Sequence, residues 1–231
     1  TDMTISVDRP EVMAADAEEA VNKGYQTLKI KVGVDGDLDV ERLLAVRKAI
    51  GDKIQIRIDA NQGWTPGEAV RTLRKMEELG LAIEFCEQPT KADDIPGMRF
   101  VRERVAIPIM ADESVHDSKD ALNVLQAGAA DLINIKLMKA GGLREARRIC
   151  ALAELFGVEC MVGCMLEAKA SAAAAVHLAA SHSVITKIDL DGPLLFAEDP
   201  MVGGPEFIGP IIKLDESPGL GISKINGVQW R

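Results

Sequence analysis

Seven residues near the C-terminal ends of apolar segments follow one another at almost even spacing. Lys31, Asp59, Glu87, Asp112, Lys136, Gly163 and Asp189 are 28, 28, 25, 24, 27 and 26 positions apart. So regular an interval marks one structural unit repeated. Each unit contains a short β-prone run and then a longer stretch of helical composition. The strands are expected at 4–7, 27–32, 54–60, 81–87, 107–112, 132–137, 159–163 and 185–189. The helices are expected at 11–23, 38–50, 68–79, 98–104, 118–127, 143–156 and 168–180. Gly24, Gly80, Gly128 and Gly157 stand as stop signals, and Ser118 is read as the N-cap of the fifth helix. Strict alternation of strand and helix means parallel strands joined by helical crossovers. Eight strands with seven helices between them fit an α/β fold of the TIM-like (β/α)7β barrel type, the eighth helix being missing or replaced. An open doubly wound sheet is the alternative. It is weaker because no glycine-rich dinucleotide fingerprint follows the first strand.

A barrel of this kind places its active site at the C-terminal ends of its strands, where this chain carries its ionisable residues. Leu28 to Val32 alternates apolar and charged residues, so Lys29 and Lys31 share one face. Asp59, Glu87 and Asp112 end three successive strands. One such acid would be read as a helix cap or an ion-pair partner. Three neighbouring carboxylates would repel one another and drive their pKa values up unless a cation sits among them. An all-oxygen donor set favours a hard ion, Mg²⁺, completed by substrate oxygens and water. Lys136, in the apolar run 132–138, lies on the far side of the trio from Lys29 and Lys31. It could instead be a salt-bridged or capping lysine. As an amine facing a metal-held carboxylate, it would share with an opposite lysine the removal and return of an α-proton. The metal would stabilise the enediolate, and nearby positive charge would lower the amine pKa.

The segments Lys29-Ile30-Lys31, Asp59-Ala60-Asn61, Glu87-Gln88-Pro89, Ala111-Asp112-Glu113-Ser114 and Asn134-Ile135-Lys136, in this order, resemble the motifs of the enolase superfamily, muconate-lactonising-enzyme subgroup. The resemblance implies Lys31 and Lys136 as the acid/base pair and Asp59, Glu87 and Asp112 as ligands of one Mg²⁺. Lys29 is implied to help neutralise the substrate carboxylate, and Asn61 and Glu113 to support the metal ligands. Asp189-Leu190-Asp191 carries two acids two positions apart, both pointing one way if the strand continues. It could equally be a turn signal with Gly192 and Pro193. At this place it resembles the dipeptide epimerases of the L-Ala-D/L-Glu type, in which two acids hold the free α-ammonium of the dipeptide. Segments 163–167 and 138–142 resemble the same group. The implied reaction is 1,1-proton transfer at the α-carbon of the dipeptide's C-terminal residue. Alternatives sharing the lysines and ligands are o-succinylbenzoate synthase, N-succinylamino acid racemase and muconate cycloisomerase; a non-enzyme alternative is a metal-stabilised binding barrel. The resemblance further implies an N-terminal α+β capping domain missing from this chain, and a homo-oligomer. Residues 1–193 are read as the barrel. Residues 194–231 are read as a segment, exposing Ile222 and Trp230, that returns to the capping domain.

A net charge of −9, with no basic or aromatic cluster, argues against a nucleic-acid partner. No apolar run reaches membrane-spanning length, and no signal pattern opens the sequence. The four cysteines, Cys86, Cys150, Cys160 and Cys164, lie in apolar segments and read as reduced thiols of a cytoplasmic protein rather than a disulfide framework. Cys160 and Cys164 have no second pair at zinc spacing, and His116, His177 and His182 have no catalytic partner in sequence.

Overall fold

The structure, a computed structural model, describes residues 1–214 and 216–227, so Trp230 lies outside the described residues. It alternates strand and helix: β1 (Met3–Ile5), α1 (Pro10–Asn22), β2 (Thr27–Lys31), α2 (Gly36–Ile50), β3 (Gln55–Asp59), α3 (Pro66–Glu78), β4 (Ile83–Glu87), α4 (Ile95–Arg102), β5 (Ile109–Ala111), α5 (Ser118–Ala127), β6 (Leu132–Lys136), a short α6 (Leu137–Ala140), α7 (Leu143–Phe156), β7 (Glu159–Gly163), α8 (Lys169–Ser181) and β8 (Ile185–Asp189). The eight strands form one sheet in sequence order, each parallel to the next. The (β/α)7β expectation is borne out. In place of an eighth helix the chain makes one 3₁₀ turn, Gly192–Leu195.

Two apolar layers hold this together. Outward-facing strand residues such as Ile30, Ile56, Ile58 and Ile133 pack against inward helix faces such as Leu43, Leu73 and Ala146 in one large cluster. Inside the barrel, Phe85, Met110, Leu132 and Met161 form a separate plug. The Arg57 guanidinium lies 5.3 Å from the Phe85 ring centroid. The plug fills part of the barrel interior, and a barrel of this kind carries its site at the C-terminal ends of the strands.

Local chemistry sets the helix starts. Asp35 accepts from the backbone N–H groups of Asp37 and Leu38, and Thr65 with Glu68 forms a reciprocal capping box. The fifth helix is capped by Asp117 and not by Ser118, because the extended Asp117 takes the N–H groups of Lys119 and Asp120. Ser118 instead donates to Glu145 of α7. The short α6 is an element absent from the sequence expectation: four residues leave β6 directly and end at Gly141, φ +74°. After the 3₁₀ turn come β9 (Met201–Gly203), β10 (Glu206–Ile208), β11 (Ile211–Lys213) and β12 (Ile222–Ile225), which make two small antiparallel ribbons. Ile222 is half-buried, paired with Gly203, rather than exposed as expected.

Among the described residues β1 and β8 form no backbone ladder. Side chains close the seam instead: Leu190 N donates to Thr1 Oγ1 at 2.8 Å, and Thr4 N to Asp191 Oδ2 at 2.8 Å. No helix among the described residues is long and apolar enough to cross a membrane.

Candidate active site

Strand register assembles the site. Lys29 is paired with Arg57 and Lys31 with Asp59; Asp59 is paired with Glu87; Lys136 is paired with Gly163, which is paired with Asp189. Alternation along each strand sends these residues inward while the isoleucines between them face the helices. β2 and β6 are four places apart in an eight-stranded order, so Lys31 and Lys136 stand on opposite walls of the mouth. Asp112 lies one residue beyond β5, which ends at Ala111.

At the mouth each carboxylate meets a cation. Lys31 Nζ lies 2.6 Å from Asp59 Oδ2 and 2.7 Å from Asn61 Oδ1. Asn61 N donates to Asp59 Oδ1 at 2.9 Å, and Asn61 Nδ2 to Glu113 Oε1 at 3.1 Å. Across the barrel Lys136 Nζ lies 2.6 Å from Asp112 Oδ2 and 3.8 Å from Glu87 Oε1. Lys136 is therefore salt-bridged as well as inward-facing. Among the described residues no three carboxyl, thiol or imidazole groups already stand together as the ligands of a metal. The donor chemistry nevertheless fits a hard cation. Glu87 is fully buried, and its Oε2 has no partner. Neighbouring Asn134 Oδ1 is likewise unpartnered. A Cβ on Gly163 would stand 2.6 Å from that oxygen, so only glycine leaves room for it.

Burial and the neighbouring Asp59 carboxylate push Glu87 well above the ordinary range. Burial would also raise Asp112, but the ammoniums of Lys139 and Lys136 overcome it and hold Asp112 low. Burial pulls Lys136 down, yet Glu87 and Asp112 overcome it and hold Lys136 up. This direction is opposite to the one expected of a base, and its cause is the field of Glu87 and Asp112 together with the hydrogen bond to Asp112.

Lys29 and Asp189 were expected to serve opposite ends of a substrate. The structure joins them instead in a buried ion pair at the barrel axis. Burial opposes both charges; Asp189 and Glu87 nevertheless hold Lys29 up, and Lys29 holds Asp189 down. Asp191 does not share the orientation of Asp189. β8 ends at Asp189, and Asp191 begins the 3₁₀ turn with φ −83° and ψ −12°, one oxygen on the seam at Thr4 N. The histidines stay outside the site: His116 is exposed, and His177 and His182 are half-buried.

Three residues to which sequence reasoning assigned no role are built into the site. Asn134 Nδ2 donates to Glu87 Oε1 at 2.7 Å. Lys139, on α6, places its ammonium on Asp112 Oδ1 and on the Val115 carbonyl at 3.1 Å. Gln88 Oε1 accepts from Asp112 N at 2.9 Å and Ser114 N at 3.1 Å, tying the end of β4 to the loop after β5. Period two would have flagged Asn134, two positions before Lys136. Nothing local flags the other two, whose partners are 24–27 residues away. Asn61, Gln62 and Gln88 all have positive φ, 41°, 67° and 37°. Left-handed backbone at non-glycine residues costs on the order of 1 kcal/mol each and concentrates where a site over-determines it.

The profile described as "Enolase C-terminal domain-like" matches residues 12–225. The chain is 56% identical over 226 residues to the L-Ala-D/L-Glu epimerase of Clostridium acetobutylicum, covering 98% of this chain and 63% of that protein. It is similar, with a TM-score of 0.96 and 51% identity, to a substrate-liganded complex of the L-Ala-D/L-Glu epimerase from Bacillus subtilis, covering 97% of this chain and 63% of that one. It is also similar, with a TM-score of 0.94 and 45% identity, to a dipeptide epimerase from Enterococcus faecalis complexed with Mg and the dipeptide L-Leu-L-Tyr, covering 96% and 63% of the two chains. The chain thus spans under two thirds of the length of these relatives.

Proposed function

The chain belongs to the enolase C-terminal domain-like family, and on that premise we propose that it is the catalytic barrel of an Mg²⁺-dependent dipeptide epimerase of the L-Ala-D/L-Glu type. The observation that carries the reading is the pair of lysines on opposite walls, with an oxygen-only donor set between them. Lys31 and Lys136 exchange a proton with the α-carbon of the dipeptide's C-terminal residue from opposite faces. Asp59, Glu87 and Asp112 hold Mg²⁺, with Asn61 and Glu113 supporting Asp59 and with Asn134, Gln88 and Lys139 supporting the other two. Held there, Mg²⁺ would supply positive charge toward the substrate carboxylate and would offset the carboxylate field on Lys136. Lys29 contributes its field from below, since its ammonium is committed to Asp189. Asp189 and Asp191 supply the negative charge that draws the substrate ammonium.

Exposed Met165, Leu166, Leu195 and Phe196 on the loops after β7 and β8 are the surface a capping domain would cover, with residues 194–231 packing on that domain. The four unpaired thiols suit a reducing, cytoplasmic setting, and the enzyme would assemble from like subunits. The test is α-proton exchange of dipeptides in D₂O by mass spectrometry on the full-length protein. Lys31→Ala and Lys136→Ala should each lower epimerisation by at least about 100-fold while Mg²⁺ binding persists. An epimerase that survives either change, or that runs undiminished in excess chelator, would refute the two-base scheme or the metal site respectively.

A further inference from the structure

Beside Lys29 and Asp189 lies a buried charge cluster, Asp2, Arg57 and Glu84, that the proposed reaction does not use. Asp2, just before β1, is fully buried, and its Oδ2 accepts from Arg57 Nη1 at 2.8 Å. The same guanidinium donates through Nε to Glu84 Oε2 at 2.6 Å and through Nη1 to the Ile188 carbonyl at 3.2 Å. The Leu190 N to Thr1 Oγ1 bond, and an Arg57 Nη1 shared by Asp2 and the Ile188 carbonyl, set Asp2 beside Asp189. Asp2 Oδ1 and Asp189 Oδ1 are both buried and both without a partner. Two ionised carboxylates have no hydrogen to share, so this arrangement would leave two orphan acceptors and a like-charge contact in a low-dielectric interior. The charge balance points the same way. Three carboxylates, Asp2, Glu84 and Asp189, are ion-paired to two side-chain cations, Arg57 and Lys29. One proton balances the set and satisfies both orphan oxygens.

The proton's place follows from the partners. Asp189 is paired directly with the Lys29 ammonium, whereas Asp2 shares Arg57 with Glu84. We propose that Asp2 is a neutral, proton-bearing positioning residue: its carboxyl donates to Asp189 while Arg57 grips its other oxygen, fixing Asp189 against Lys29 below the substrate site. Burial first, and the Asp189 carboxylate second, raise the Asp2 pKa well above its ordinary value. Asp2 thereby links four strands: β1 through its own position, β3 through Arg57, β4 through Glu84 and β8 through Asp189. Its effect on substrate rests on the proposed ammonium role of Asp189, but its protonation does not.

The experiment uses the full-length protein as wild type, Asp2→Asn and Asp2→Ala. An asparagine amide can donate to Asp189 and accept from Arg57 as a neutral acid does. Asn should therefore rescue most of the stability that Ala loses. If Asp2 were an ionised counter-ion, Asn would lose as much as Ala, and the proposal would fail. Infrared difference spectra, wild type minus Asp2→Asn at pH 7, should show the carbonyl stretch of a protonated carboxylic acid; its absence overturns the proposal whatever the substrate. Stability against pH carries a definite sign. A folded pKa raised above the unfolded one means the native state binds more protons, so stability falls as pH rises from about 4 through the folded pKa. Asp2→Asn lacks that slope, and parallel curves for the two proteins would count against Asp2. Finally, Asp2→Ala should raise KM for a free dipeptide about tenfold with a smaller effect on its N-acetylated counterpart. Equal rises would overturn the ammonium role of Asp189, an outcome distinct from the infrared band that decides Asp2.

Discussion

Replacing Gln88 with methionine tests how the metal-ligand ends of β4 and β5 are held together. The residue is fully buried and the two side chains are similar in length, so lost polar contacts dominate the effect. Gln88 Oε1 is the acceptor for the N–H groups of Asp112 and Ser114. Its Nε2 donates to the Thr90 carbonyl at 3.0 Å and to Ser114 Oγ at 2.8 Å. Ser114 Oγ still donates to the Ala92 carbonyl at 2.8 Å, so it is not orphaned. Two backbone N–H groups are left buried without acceptors, each costing about 1–3 kcal/mol. The added apolar contact beside Met98 returns about 1 kcal/mol. At the middle of that range the net loss is about 3 kcal/mol, which for a domain of this size lowers Tm by about 6–12 °C. Urea titration should show a lower midpoint at unchanged m, and calorimetry should show Mg²⁺ binding about 10–100-fold weaker. A loss under about 1 kcal/mol, with Mg²⁺ affinity intact, would refute the idea that this side chain splices the two ligand loops.

Two further outcomes are expected. Gly63→Ala would place a Cβ 1.9 Å from the Gly33 carbonyl oxygen, where the loops after β2 and β3 cross beside Asn61; overpacking against backbone should cost about 3 kcal/mol or more, read as a fall in the urea midpoint, and a near-neutral variant would contradict the close approach. Ser118, through its hydroxyl and backbone N–H, and Arg148 hold Glu145 down to about 2. Its contribution to stability is therefore present above the ordinary glutamate range and lost as pH falls toward about 2. The stability gap between wild type and Glu145→Gln should be open at pH 6 and close on acidification; a gap that widens toward acid would show the sign to be wrong.

The sequence by itself determined the repeat, the parallel order and the identity of the inward-facing charges, because period-two alternation and evenly spaced breakers are local properties. Lys31, Asp59, Glu87, Asp112 and Lys136 were legible for that reason: each stands at the end of its own strand or one residue past it. What the tertiary structure decided is pairing. A motif says which residues face inward but not which inward charge neutralises which. Lys29 and Asp189 are 160 residues apart and joined, while Asp189 and Asp191 are two apart and separated by the end of a strand. Gln88, Asn134 and Lys139 carry no local signal of their partners for the same reason. Asp2 carries no local signal of its burial, which closure of the seam brings about. Coulomb energy and desolvation depend on distance and burial, and both come into being only when the barrel closes.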